Sequence, residues 1–301
     1  MVPAVTNTGR ALGDAVWSRK AARLPGEGTL LVCTDLQGNL GDYEAMKALY
    51  FAEERAGNRP VLLFCGDMVH GPSPDLHEPG AWPEHLGTAY RDASRELILD
   101  FEAFTREHRA VSVLGNHEHA HIGGPRVPKF YPDEAAVLDA ALGDERGLVH
   151  NFLRTWPLVA VAPCGAVFTH GAPRATEACL EDFEALTYDG FRRAPLGSMH
   201  ALGTVGALLW ARGATPSQAR ALLAATALDG HPNAFVAHGH DVVAEGYEIT
   251  GEEQICVSTS FGLRDRDKVF LRLDLSRRHY SSVNDLREGV EILPLHPLRE
   301  D

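Results

Sequence analysis

The sequence predicts an α/β protein organised as one large domain. Continuous apolar runs recur along the chain and end in polar residues with a glycine close by. Segments with helical spacing lie between the first three runs, and no linker-like stretch divides the chain. Parallel strands covered on both faces read as unbroken apolar runs, and such sheets place their chemistry at the carboxyl ends of the strands.

Taken in order, residues 1–28 form an N-terminal extension with a short helix expected near Asp14 to Arg23 and no assigned chemistry. The first strand, from Thr29, ends in Asp35-Leu36-Gln37-Gly38, where two-residue spacing on extended chain turns Asp35 and Gln37 to the same side. Apolar residues at Tyr43, Met46, Leu49 and Tyr50 predict an amphipathic helix over Tyr43 to Ala56. Pro60 to Cys65 is a second buried strand, followed by Gly66-Asp67 and by His70. After a loop, Tyr90, Leu97, Ile98, Phe101 and Phe104 mark the buried side of a long helix. It leads to Val111-Ser112-Val113-Leu114 and the cluster Gly115-Asn116-His117-Glu118. Strand, helix, strand, helix, strand is the pattern of a parallel sheet with right-handed crossovers.

A helix is expected from Asp133 to Leu142. A strand pair is expected at Leu158 to Ala162 and Ala166 to Thr169, ending in His170-Gly171. Residues 176–230 read as mainly helical. The run Ala234 to Ala237 then ends in His238-Gly239-His240. Gln254 to Ser260 and Val269 to Leu275 read as a closing antiparallel pair, and residues 282–301 as a tail packed on a domain of residues 29–281. His119 and His121 are assigned to a solvated loop.

A formal charge of −13 argues against a surface built for non-specific binding of nucleic acid or anionic membranes, though not against a local phosphate pocket. Cys33, Cys65, Cys164, Cys179 and Cys256 are odd in number, widely spaced and mostly within apolar runs, which predicts reduced thiols and a cytoplasmic protein. No export signal or membrane-spanning run is read from the sequence.

Five strand ends thus offer Asp35 and Gln37, Asp67 and His70, Asn116 and His117, His170, and His238 with His240. Each has an ordinary reading alone, as a helix cap, a turn or a satisfied histidine. Together they form the mixed carboxylate, amide and imidazole set that a pair of divalent cations needs.

The chain resembles the calcineurin-like metallophosphoesterases, within them the serine/threonine phosphatase and diadenosine tetraphosphatase branch. The resemblance rests on Asp35-Leu36-Gln37-Gly38, Gly66-Asp67-Met68-Val69-His70-Gly71, Gly115-Asn116-His117-Glu118, His170-Gly171 and His238-Gly239-His240, in that order over about residues 29–275. Leu208 to Arg212 is similar to a Leu-x-Trp-x-Arg run of bacterial and phage members. The resemblance implies a four-layer αββα sandwich of two mixed sheets flanked by helices, holding two divalent ions, manganese first and iron, zinc or nickel as alternatives. By the same resemblance Asp67 bridges the ions and Asp35, with Gln37, binds the first. Asn116, His170 and His240 bind the second, with His238 a neighbour or the ligand in another register. His117 protonates the leaving group, Arg212 binds phosphate, and Glu118 is structural.

The implied reaction is hydrolysis of a phosphomonoester, on a phosphoprotein or a small molecule, by a metal-bridging hydroxide. Cleavage of a dinucleoside polyphosphate and a non-catalytic metal-binding scaffold are the alternatives. Two departures stand out. Gln37 replaces a histidine, which predicts a weakly held first ion and activation by added manganese. His70-Gly71 replaces an Asp-Arg pair, which leaves His70 either to take over the support of His117, to approach the first ion, or to sit in the loop.

Overall fold

Each apolar run of the sequence divides its side chains between two cores. The computed structural model describes residues 20–228, 230–277 and 280–296. In β2 (Thr29–Cys33), Leu30 and Val32 pack between two sheets, whereas Leu31 and Cys33 face helices on the outside. The same alternation holds in β3 (Val61–Phe64), β5 (Val159–Ala162) and β7 (Phe235–His238). Successive side chains on a strand point to opposite faces, so a strand covered on both sides is apolar throughout and still serves two packing layers. The result is the expected α/β sandwich of two mixed sheets flanked by helices.

One sheet has the order β11-β10-β2-β3-β4, with β4 at Ala110–Ser112, β10 at Val269–Asp274 and β11 at Ile292–Pro294. Strands β2, β3 and β4 are parallel, while β10 runs antiparallel to both β2 and β11. The other has the order β1-β5-β6-β7-β9-β8, with β1 at Ala21–Arg23, β6 at Ala166–Phe168, β8 at Tyr247–Thr250 and β9 at Gln254–Val257. There β6, β7 and β9 are parallel.

The outer faces are covered by α1 (Leu40–Arg55), α2 (Ser94–Glu107), α3 (Asn116–Ile122), α4 (Glu134–Leu142), α5 (Arg146–Leu153), α6 (Gly203–Trp210) and α7 (Pro216–Ala225). Asn39 caps α1 by accepting from the Asp42 N–H, and Thr215 with Gln218 forms a capping box on α7 ahead of Pro216.

Several expectations change. Residues 21–23 are strand β1, paired parallel with β5, rather than the end of a helix; the remainder of that expected helix lies outside the described residues. The expected closing pair does not form, because β9 pairs with β7 and β8 while β10 joins the other sheet beside β2. Alternation alone could not choose a partner, since it marks which face of a strand is buried and not which strand lies beside it. The tail supplies β11, whose Ile292 lies opposite Leu271. Residues 176–230 hold two helices and two short 3-10 turns among loops, so the expectation of mainly helix fails there. Cys33, Cys65, Cys164, Cys179 and Cys256 are all free thiols.

Candidate metal centre and active site

Strands β2, β3, β4, β6 and β7 deliver their carboxyl ends to one edge of the sandwich. The turns that follow are fastened to one another: the Asp35 N–H donates to the Gly66 carbonyl (3.2 Å), and the Gln37 N–H to the Asp67 carbonyl (2.9 Å). Beneath them the buried Glu118 carboxylate accepts from four backbone N–H groups, those of Asp67, Met68, Val69 and Gly115, at 2.8–3.2 Å. That assigns it the structural role expected from the sequence. Gly115 has no substitute here, because a Cβ would stand 2.3 Å from Asp67 N.

Five non-glycine residues in this edge hold left-handed backbone: Asp35 (φ 52°), Gln37 (45°), Asp67 (52°), His70 (71°) and His240 (69°). Each such residue costs roughly 1–3 kcal/mol and persists only where its surroundings force it.

Asp67, His170 and His240 offer ligand atoms that lie within 4.8 Å of one another. His170 is the centre of the group. Its Nε2 lies 2.9 Å from Asn116 Oδ1, 3.0 Å from His240 Nδ1 and 3.4 Å from Asp67 Oδ2. Its Nδ1 sits 2.7 Å from the Cys65 carbonyl, which can only accept, so Nδ1 carries the proton and Nε2 faces inward as a lone pair. An imidazole lone pair among an amide oxygen, a carboxylate and a second imidazole is an electron-rich pocket that a divalent cation fits. Burial would lower the His170 pKa, but the charges of Asp67 and Asp35 raise it to about 9, so the field in this pocket favours positive charge. Burial would raise the Asp67 carboxyl, and His170 and His117 instead hold it well below the usual range.

The other predicted ligands border this group with their donor atoms turned to other partners. Asp35 is buried and accepts the His240 N–H (3.0 Å), and burial raises its carboxyl to about 6. Gln37 turns its amide nitrogen toward Asp67 Oδ2 (3.5 Å), and its Oε1 accepts from the Lys129 ammonium at 2.6 Å. His238 is not part of the ligand group; its Nδ1 faces the Gly239 carbonyl, and burial lowers its pKa to about 4. The backbone turn at Gly239 separates the two histidines, and His240 is the one carried to His170.

His117 lies beside this group with its Nε2 3.8 Å from Asp67 Oδ2. Its other nitrogen, Nδ1, is 3.1 Å from Glu134 Oε2 and 3.0 Å from His70 Nδ1. Burial would raise the Glu134 carboxyl, but His117 and His70 hold it at about 2. His70 is therefore buried against His117, rather than left in the loop. Beyond it, His70 Nε2 meets His121 Nε2 (2.9 Å), and Asp139 takes His121 and His150, both at 2.8 Å. His119 and His121 are buried in α3, which corrects the solvated-loop expectation. The polar spelling of Asn116–Ile122 hides a helix in which all seven residues are buried.

Arg212 is exposed, donates to Asp241 Oδ1 (2.6 Å) and to the His240 carbonyl (3.1 Å), and faces an open cavity of about 420 Å³. Arg174, His200, Trp210 and His240 line the same cavity.

Two contributors were missed in the sequence. Glu134, the first residue of α4, reads there as a carboxylate complementing the helix dipole. Lys129, between Pro128 and Phe130, reads as a loop residue. The residue as a whole is exposed, while its ammonium reaches Gln37 and stands 3.4 Å from the centre of the Phe261 ring.

A family model described as calcineurin-like phosphoesterase matches residues 28–258. Among solved structures, the cold-active protein-tyrosine phosphatase of a psychrophilic Shewanella species is similar over 86% of this chain and 81% of its own, at 13% identity and a TM-score of 0.51. That likeness shows the fold. A serine/threonine phosphatase from Saccharomyces cerevisiae, described as similar to human phosphatase PP5, matches at 16% identity over 83% of this chain and 74% of its own, with a TM-score of 0.49. A metallophosphoesterase from Sphaerobacter thermophilus gives 15% identity, coverage of 84% and 85%, and a TM-score of 0.43. Comparison with curated proteins finds no match.

Proposed function

Since the chain belongs to the calcineurin-like phosphoesterase family, we propose that it hydrolyses a phosphomonoester with the help of a divalent cation, manganese being the first ion to test. The observation that carries this reading is the convergence of Asp67, Asn116, His170 and His240 on one point, with the Nε2 of His117 facing it. These four side chains would hold the ion. When bound, it supplies Lewis-acid stabilisation of phosphoryl charge and activates water.

The chain's own residues do the rest. Glu134 and His70 fix Nδ1 of His117, which leaves Nε2 to carry a proton to the departing oxygen. Arg212 and Arg174 face the cavity beside the centre, where a phosphate dianion would enter. The cavity, about 420 Å³ and open, has room for a phosphorylated side chain or small molecule and is lined on one side by Trp210.

The test is turnover by the purified chain with added Mn²⁺ of p-nitrophenyl phosphate, a phosphopeptide and diadenosine tetraphosphate. Release of phosphate from either monoester, reduced in His117→Ala and most strongly on the phosphopeptide, supports the proposal. Cleavage of the dinucleotide alone would move the substrate class, and silence of wild type and variant alike would favour a binding scaffold. Of the two ions that the resemblance implies, the donors described fit one; Gln37 does not offer its oxygen to the other.

A further inference from the structure

We infer that the first cation position of this centre is held by the ammonium of Lys129, so that the protein takes one divalent ion rather than two. The inference rests on the phosphoesterase reading above and concerns what stands beside the single fitted ion.

Gln37 can ligate a metal only through Oε1, and that oxygen accepts from Lys129 Nζ at 2.6 Å. Its amide nitrogen, which cannot ligate, is the end turned toward Asp67. A lysine ammonium has three donors and no lone pair, so it replaces the charge of an ion without binding one, and it repels a second cation brought to the same carboxylates. Asp35, the other residue expected to hold the first ion, is outside the ligand group and gives its carboxylate to the His240 N–H.

The lysine is held in place. Its ammonium rests over the Phe261 ring, a contact that favours a cation. The next residue, Phe130, donates its N–H to Glu134 Oε1 at 2.6 Å, so the carboxylate that positions His117 also anchors the lysine's loop. Burial disfavours the charged form of this lysine and Arg212 adds to that, while Asp67, Glu134 and Asp35 offset it as nearby negative charges. A histidine replaced by glutamine and a lysine brought to its oxygen are a matched pair: imidazole in place of Gln37 would set a second nitrogen base against Asp67, and the ammonium would stand where its ion must go.

The experiment counts ions. The full chain is stripped with a chelator, reloaded with Mn²⁺, desalted and assayed for bound manganese per chain, with electron paramagnetic resonance on the same samples. Wild type is expected to hold one ion with the spectrum of isolated Mn²⁺. Lys129→Met/Gln37→His, if its circular dichroism matches wild type, is expected to hold two and to show spin coupling between them. Two ions in wild type overturn the inference and leave the phosphoesterase reading intact, as does a folded double variant that still holds one. No ion in wild type overturns both.

Discussion

Glu134 Oε2 lies 3.1 Å from Nδ1 of His117, although the two residues begin different helices and are separated by a proline-containing loop. The contact supplies the carboxylate partner that the second motif, with His70 at its end, does not. A carboxylate on Nδ1 orients the ring and turns Nε2 to the site, the arrangement a proton donor needs.

Glu134→Gln is expected to lower kcat by about 10–100-fold with little change in KM, and His117→Ala by about 10²–10⁴-fold. The loss should be smaller on p-nitrophenyl phosphate, whose leaving group needs little protonation, than on an alkyl phosphate. Equal losses on both would remove the proton-donor assignment.

The two histidines at the end of β7, His238 within the strand and His240 beyond it, are separable by metal content. His240→Ala is expected to lose bound manganese, while His238→Ala keeps it, because only His240 faces His170. Retention in the first and loss in the second, counted by elemental analysis, would reverse the register.

Glu118 tests the frame beneath the site. Its Oε1 serves Met68 and Val69, and its Oε2 serves Asp67 and Gly115. In Glu118→Gln one of these oxygens becomes a donor facing two buried N–H groups, at a cost of roughly 2–4 kcal/mol. A urea midpoint within error of wild type would contradict this.

Acid should weaken the fold partly through His119. Its ring is fully buried with Nε2 2.8 Å from the Tyr188 carbonyl, and burial holds its pKa at about 4 against an ordinary 6.5. Between those values the unfolded chain takes up a proton that the folded chain refuses, so stability falls as pH drops through that window, by at most about 3 kcal/mol. His119→Gln should flatten this part of the stability curve; an unchanged slope would assign the acid sensitivity elsewhere.

The fold and the clustered side chains were legible for a common reason: Asp67, Asn116, His170 and His240 each come within four residues of the end of a buried strand, so their place in space is set by local spelling. What it hid depends on distant pairing. Glu134 and Lys129 act through contacts 17 and 92 residues away in sequence, with His117 and Gln37. The partners of β9 and β10 were hidden likewise, since the apolar pattern of a strand carries no mark of which sheet it joins. His119 and His121 were misread because polar residues usually face water, and here a wholly buried helix is built from them.

The left-handed backbone at Asp35, Gln37, Asp67, His70 and His240 bears on how this chain would respond to engineering. Glycine at any of the five would ease the main chain while deleting a working side chain. A selection for heat resistance alone would be drawn to these very codons and return a sturdier, inert protein. Libraries meant to toughen it should hold those five fixed and vary the surface instead.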